Sequence, residues 1–201
     1  MDEERLEQEQ ASAQPAPQKD DLPHNLYYWL QTLVFAVTCI VLLFTFFGRI
    51  TRVDGSSMVD TLHDGDLLLL RSIGYHPRQG DVVVLNKTAV RTDPLLHGEA
   101  IVKRVIATGG QSVYIDYDAG VVYVDGTPLD EPYILEQMQV RTGPYSGQTL
   151  IQVPEGEIFV MGDNRNGSTD SRHELLGTVD ERYVLGRALC ILFPLTRVKT
   201  L

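Results

Sequence analysis

Three short segments of the sequence carry polar side chains where a plain β-domain would not need them. The first, residues 54–62, reads DGSSMVDTL and offers a serine hydroxyl. The second, residues 101–106, reads IVKRVI and places a lysine inside an apolar run. The third, residues 162–172, is a dense polar loop that reads GDNRNGSTDSR. A hydroxyl held beside an amine by a rigid polar loop would suit nucleophilic catalysis.

Lys103 lies in a stretch whose composition predicts a β-strand. Side chains alternate between the two faces of a strand, so Lys103 shares a face with Ile101 and Val105. One interpretation is that this is the polar face and the lysine points to solvent, which the pattern alone favours. The other is that apolar neighbours strip water from the amine and lower its pKa toward neutral. The neutral amine could then accept a proton.

Ser57 follows glycine and serine in a turn-like sequence, where serine is most often an ordinary loop residue. A catalytic hydroxyl needs a base, and none of the five histidines lies in a recognisable nucleophile–base motif. These are His24, His63, His76, His97 and His173. A Ser57–Lys103 pair is therefore a more economical hypothesis than a Ser–His–Asp triad.

The loop of residues 162–172 concentrates charge of both signs. By default such a loop is a capped turn with surface ion pairs. The high density of charged residues instead favours a network of ion pairs that keeps the loop rigid, with Ser168 inside that network. The charged positions are Asp163, Arg165, Asp170 and Arg172.

The elements that must position these segments begin with an apolar helix. Residues 26–47 contain no charged side chain, and a helix of that length spans about 33 Å, enough to cross a bilayer. Tyr27, Tyr28 and Trp29 are aromatic residues of the kind found at a lipid–water boundary. A core helix of a small soluble domain would carry a polar stripe, and residues 26–47 have almost none. A cleaved signal sequence would follow a basic segment, whereas the segment before residue 26 is acidic. We therefore predict an uncleaved transmembrane anchor at residues 26–48.

The segment before the anchor, residues 1–25, is polar and contains seven acidic and two basic residues. It buries too little apolar surface to offset its ordering entropy, so we predict a disordered tail. Basic residues flank the anchor unevenly, with Lys19 before it and Arg49 and Arg52 after it. Because basic residues favour the cytoplasmic side, this small difference weakly favours a cytoplasmic location for the residues after the anchor.

Residues 49–201 form one body of ordinary domain size, and its pattern is that of β-strands. Strands are predicted at residues 67–70, 81–85, 100–107, 113–116, 121–124, 158–161 and 184–193. The two around residues 117–120 predict a hairpin. No stretch has helical periodicity over more than ten residues, so the sequence predicts an all-β barrel or sandwich.

Composition excludes several classes of function. The chain of 201 residues has a formal net charge of −10, which disfavours a nucleic-acid partner bound through phosphates. Its two cysteines, Cys39 and Cys190, cannot build a disulfide scaffold or a cysteine-based zinc site, and we expect both to be free thiols. We expect no metal or other cofactor.

In this order and after a single anchor, the polar segments resemble the bacterial type I signal peptidases, membrane-bound serine proteases with a Ser–Lys dyad. Four markers carry the resemblance, which covers the anchor and nearly all of the body. They are GSSM at residues 55–58 with Thr61-Leu62, GDVVV at 80–84, KRVI at 103–106, and GDNR at 162–165 with Ser168 and DSR at 170–172.

The resemblance implies a role for each matching residue. Ser57 would be the nucleophile, Lys103 the general base, and Ser168 the hydroxyl that orients the lysine. Met58 would help to wall the substrate pocket. The remaining matches would be supporting ion pairs, Arg104 with Asp163 and Asp170 with Arg172. The implied fold is a barrel-like, all-β catalytic core in which residues 111–156 form a small β-rich insertion.

Three positions depart from the family pattern. Asp60 replaces a common proline, and Gly167 replaces a usual asparagine. Gly55 stands where one branch of the family has a hydroxyl that binds the oxyanion. The Ser57 backbone N–H must therefore do more, helped by a backbone donor near Gly55.

The implied substrates are exported preproteins, cut after a small-x-small site by a monomeric enzyme at the lipid bilayer. The resemblance places the body on the outer face of the cell membrane and the tail in the cytoplasm, against the charge bias. Self-cleaving repressor-type Ser–Lys proteases are the nearest enzyme alternative, but they resemble soluble DNA-binding regulators. A pilin-associated homologue and an inactive, membrane-tethered binding module stay open as alternatives.

Overall fold

A computed structural model describes residues 22–86, 100–139, 150–173 and 176–201 of the chain. The predicted tail at residues 1–25 lies almost wholly outside these ranges. The chain divides into two compact units, Met1–Leu42 and Leu43–Leu201.

Helix α1, Leu22–Phe47, has 26 residues, most of which belong to the first unit. It has no acidic residue in its first turn and no basic residue in its last. Residues 26–42 all have exposed side chains. Within the described ranges, no helix reaches the combined length and hydropathy that crossing a membrane demands.

In the described part of the second unit, twelve strands form two antiparallel sheets. In chain order they are β1 Arg49–Arg52, β2 Leu67–Arg71, β3 Val82–Asn86, β4 Ala100–Thr108, β5 Ser112–Asp116, β6 Val121–Val124, β7 Thr127–Pro128, β8 Leu150–Gln152, β9 Glu157–Met161, β10 Val179–Asp180, β11 Val184–Phe193 and β12 Lys199–Thr200. Short 3₁₀ helices occupy Glu181–Tyr183 and Leu195–Arg197.

The larger sheet has the strand order β1-β2-β11-β3-β4-β9-β10, with β12 added beside β11. It curls as a half-barrel. Because β1 and β10 end the described sheet without pairing to each other, it does not close into a full barrel. The smaller sheet, in the order β7-β6-β5-β8, draws all its strands from residues 112–152.

The prediction of a mostly β body is confirmed. All seven predicted strands form, with ends that differ by at most one residue, and β5 and β6 pair as the predicted hairpin with Val113 opposite Val124. Five short strands were not predicted, because two to four residues carry too little alternation to stand out. These are β1, β7, β8, β10 and β12.

One hydrophobic cluster lies beneath the segment that follows β1. Met58 and Leu62 pack there with Leu68, Val102 and Ile191, contributed by three different strands. Burying each such side chain contributes roughly 1.5–3 kcal/mol, so the segment carrying Ser57 is held firmly from below.

Candidate active site

Ser57 and Lys103 lie in contact beside the larger sheet, although 46 positions separate them in the sequence. Lys103 Nζ lies 2.6 Å from Ser57 Oγ. Strand β4 supplies the lysine, which pairs with Val83 of β3, and the loop after β1 supplies the serine. Lys103 is only 4% exposed, so the solvent-facing interpretation of this lysine is wrong.

Burial sets the protonation of the lysine. Loss of hydration lowers the pKa of Lys103 from 10.5 to about 8, with a smaller lowering from Arg172 and opposing contributions from Asp170 and Asp163. At pH 7 about one amine in ten is then neutral, against fewer than one in a thousand for an exposed lysine. The neutral amine can accept the proton of the Ser57 hydroxyl.

Both expected ion pairs form beside the lysine. Arg104 binds Asp163 through two hydrogen bonds, of 2.8 and 2.6 Å, and the Asp163 side chain is fully buried. Arg172 binds Asp170 in the same two-pronged way, at 2.8 Å twice. Burial alone would raise the pKa of Asp170, but the Arg172 guanidinium and the Gly162 N–H outweigh it and hold the pKa below its usual value.

The loop after β9 grips the backbone of the nucleophile segment. The Asn164 N–H donates to the carbonyl of Ser57 at 3.0 Å, and the Asn164 side-chain amide donates to the carbonyl of Ser56 at 3.2 Å. Gly162 packs so closely against this segment that a Cβ atom on it would lie 2.4 Å from the Ser57 carbonyl oxygen. Both residues belong to the GDNR motif at residues 162–165, but sequence reasoning gave neither of them a role. A glycine directly after a strand was the available signal.

Ser168 is buried against the same glycine. A Cβ on Gly162 would sit 2.3 Å from Ser168 Oγ. Among the described residues, this hydroxyl has no hydrogen-bond partner, so the expected bond between Ser168 and Lys103 is not formed.

Two further expectations need correction. Met58 is 1% exposed and belongs to the core cluster, so it has almost no surface left for the wall of a substrate pocket. The Gly55 N–H donates to Asp64 Oδ1 at 3.0 Å, so that group is not available to an oxyanion. The Ser57 N–H makes no hydrogen bond within the described part of the chain, which leaves it available as a donor.

A second buried guanidinium, that of Arg165, lies beneath the loop. It makes two hydrogen bonds to Glu131, and its Nε donates to the Gly162 carbonyl at 3.2 Å. Burial lowers the pKa of Arg165, but the Glu131 carboxylate outweighs this and holds it above its usual value. Sequence reasoning did not identify Glu131, which is 34 positions from Arg165 and belongs to no motif.

Next to the dyad, strand β4 has an open backbone edge. Residues 100–104 pair with β3, whereas β9 pairs with β4 only from Arg104 onward. Residues 100–103 therefore have no described strand on their other side. At Ala100 this edge borders a cavity of about 410 Å³ that is also lined by Thr51, Arg52, Asp54 and Asp64.

Cys39 and Cys190 are both free thiols. In the ranges that the structure covers, no three His, Cys, Asp or Glu side chains come together as metal ligands would.

Comparison with known proteins places this site in a family. Residues 26–193 match the family model described as signal peptidase, peptidase S26. The probable signal peptidase I-1 of Synechocystis sp. is 37% identical over 169 residues, covering 82% of this chain and 81% of the relative. Signal peptidase I of Bacillus licheniformis is 32% identical over 187 residues, covering 88% and 93%. A crystal structure of a signal peptidase I from Enterococcus faecalis is 27% identical and covers 56% of this chain and 97% of that chain, with a TM-score of 0.43. Because the family match includes β1 to β11 and every residue of the Ser57–Lys103 site, the chain belongs to the signal peptidase family, peptidase S26.

Proposed function

We propose that this protein removes signal peptides from exported preproteins, cutting after small-x-small sites, with Ser57 as nucleophile and Lys103 as general base. The observation that carries the proposal is the 2.6 Å contact between Ser57 Oγ and a lysine amine buried from solvent. Family membership supplies the substrate class.

The reaction is acyl transfer in two steps. Neutral Lys103 takes the Ser57 proton while Oγ attacks the scissile carbonyl, and the Ser57 N–H stabilises the oxyanion. The resulting ammonium of Lys103 protonates the leaving amine, which departs as the N-terminus of the mature protein. Lys103 then deprotonates a water molecule, which hydrolyses the ester on Ser57 and frees the signal peptide.

The neighbouring residues support this pair. Ser168 has a buried hydroxyl without a partner, so it is free to accept a hydrogen bond from the Lys103 ammonium during turnover. Arg104 with Asp163 and Asp170 with Arg172 brace the loop that holds the Ser57 carbonyl. Met58 anchors the nucleophile segment in the core.

The substrate binds as an added strand. An extended peptide that pairs with residues 100–103 of β4 would make main-chain hydrogen bonds along an edge that reaches Lys103. Alternate side chains of the peptide would then face the protein, and the cavity at Ala100 would receive one of them.

Helix α1 anchors the enzyme beside its substrate. Residues 26–48 cross the membrane, with residues 1–25 in the cytoplasm and the catalytic body, residues 49–201, on the outer face as a monomer. Within this body, residues 111–156 form a small insertion around the second sheet. The support comes from the sequence, in which residues 26–47 carry no charged side chain. Confining enzyme and preprotein to one membrane raises their effective concentration.

Cleavage should depend on pH through the lysine. Because only the neutral amine is active and its pKa is about 8, kcat/KM rises about tenfold per pH unit below pH 8 and levels off above about pH 9. The measurement is the initial rate on a purified preprotein over pH 6–10. A flat profile across that range would rule out a titrating amine as the base.

A methyl group on Gly162 should be harmful. The alanine Cβ would lie 2.3 Å from Ser168 Oγ and 2.4 Å from the Ser57 carbonyl oxygen, so the nucleophile segment must shift. We expect Gly162→Ala to lower kcat about 10²-fold, as displacements near 1 Å do. Thr169→Ala, which trims an exposed residue of the same loop, is the control and should keep normal kcat. Equal kcat values for the two variants would contradict this close fit.

A further inference from the structure

The segment that returns from the smaller sheet toward the active site contacts the loop after β9 along its length. This return segment, residues 131–139, has no regular secondary structure. Its Leu135 N–H donates to the Asp163 carbonyl at 3.4 Å, and its Gln139 N–H donates to the Asn166 side chain at 2.7 Å. The Asn166 amide in turn donates to the Gln137 carbonyl at 3.1 Å.

The strongest of these contacts is a buried ion pair. The Arg165 side chain is 0% exposed and that of Glu131 is 6% exposed. Both carboxylate oxygens of Glu131 accept from the guanidinium, and the Tyr133 hydroxyl donates to the same carboxylate at 3.0 Å. A guanidinium this deeply buried needs its partner, since an unpaired charge in the interior is strongly unfavourable.

The Tyr133 ring also touches the strand that carries the lysine. The Arg104 guanidinium lies over the ring, 3.9 Å from its centre, and Arg104 directly follows Lys103. Elsewhere the return segment and the nucleophile segment are separated by a cavity of about 360 Å³ between Asp60–Thr61 and residues 132–135. The return segment therefore reaches the site through its contacts with Arg165 and Arg104, and it does not fill the space beside Asp60 and Thr61.

A short series of bonds joins Glu131 to the nucleophile. Glu131 holds Arg165, whose Nε holds the Gly162 carbonyl. Gly162 abuts the Ser57 carbonyl, and Asn164, between Gly162 and Arg165, donates to that carbonyl. The Arg165 carbonyl also accepts from Arg172 at 2.7 Å, which ties in the Asp170–Arg172 pair.

We propose that Glu131 is a positioning residue: by pairing with Arg165 it fixes the loop of residues 162–168, and thereby the distance between Ser57 Oγ and Lys103 Nζ. The inference rests on the Ser57–Lys103 chemistry proposed above. It gives the return segment a role in the rate of the chemical step and not in substrate binding.

The test is a double-mutant cycle on the full-length enzyme with one purified preprotein. Glu131→Gln removes the negative charge, Arg165→Gln removes the positive charge, and the third variant carries both changes. Glu136→Gln, an exposed acid of the same segment, is the matched control. We expect kcat to fall 10- to 100-fold in each single variant with KM within about twofold of wild type. The double variant should lose no more than the worse single variant, because the pair acts as one unit.

Several results would overturn the proposal. They are wild-type kcat in any folded variant that lacks Glu131, additive losses in the double variant, or a loss confined to KM. The double variant leaves no lone buried charge, so it provides the kcat measurement if a single variant fails to fold, as judged by circular dichroism. Ser57→Ala runs in the same assay: residual cleavage by that variant refutes the dyad, whereas an inactive Ser57→Ala beside a fully active Glu131→Gln refutes the positioning role alone.

Discussion

Replacing Ser57 with alanine abolishes cleavage of a signal-peptide-bearing preprotein, lowering kcat by at least about 10⁴-fold. The physical reason is that the variant lacks the oxygen that attacks the scissile carbonyl, so only substrate binding and the oxyanion donor are left. The fold should be kept, because the substitution removes only the contact between Ser57 Oγ and Lys103, while the backbone carbonyl of residue 57 still accepts from Asn164. The assay is gel or mass-spectrometric detection of the mature protein from purified components.

Ser56→Ala is the matched control for this experiment. Ser56 precedes the nucleophile, is exposed, and likewise has a backbone carbonyl that accepts from Asn164. The control should cleave at close to the wild-type rate. Inactivity of both variants would indicate damage to the whole segment, and activity of both would exclude Ser57 as the nucleophile.

The strands of the body could be predicted because their signal is local. The predicted strands contain runs of Val, Ile and Leu bounded by Gly, Pro or Asp, and pairing then follows from the short turn between β5 and β6. The full extent of a sheet depends on long-range contacts. Strand β12, for example, is two residues long and exists only because β11 lies beside it.

The environment of Lys103 could not be predicted from its strand. Alternation shows that Ile101, Lys103 and Val105 share a face, but not whether solvent or the rest of the protein covers that face. Burial depends on the Ser57 loop and on the loop after β9, which fold over β4 from distant parts of the chain. The resemblance of the four motifs placed the right residues together where periodicity alone favoured a solvent-facing lysine.

A contact made by a residue that belongs to no motif could not be predicted from the sequence either. Arg165 lies in the predicted charge network, but its partner Glu131 is 34 positions away in no motif and could have been a solvated surface charge. The pairs of Arg104 with Asp163 and of Asp170 with Arg172 were expected because both members lie in matching motifs. All three ion pairs are buried, and each is neutral overall, so they fix the loop without adding net charge beside Lys103. Burial of the lysine itself therefore remains the main cause of its lowered pKa.

Replacing Lys103 should be as damaging as replacing Ser57. Methionine has nearly the same length and suits the buried position, so Lys103→Met should fold while kcat falls at least about 10⁴-fold for lack of a base. Lys199→Met, at an exposed lysine of β12, is the control and should keep the wild-type rate. Initial rates at pH 9, where the wild-type amine is mostly neutral, give the largest contrast.

Lys103→Arg separates the two roles that a lysine could play at this position. Arginine keeps a positive charge near Ser57 Oγ and can still donate a hydrogen bond to it, but its guanidinium does not lose its proton at any pH at which the protein is folded. If Lys103 acts as a base, the arginine variant is therefore as inactive as the methionine variant at every pH. Substantial activity of Lys103→Arg, with no rise in rate through pH 8, would mean that a fixed positive charge is what catalysis requires, and the proton would have to leave Ser57 by another path.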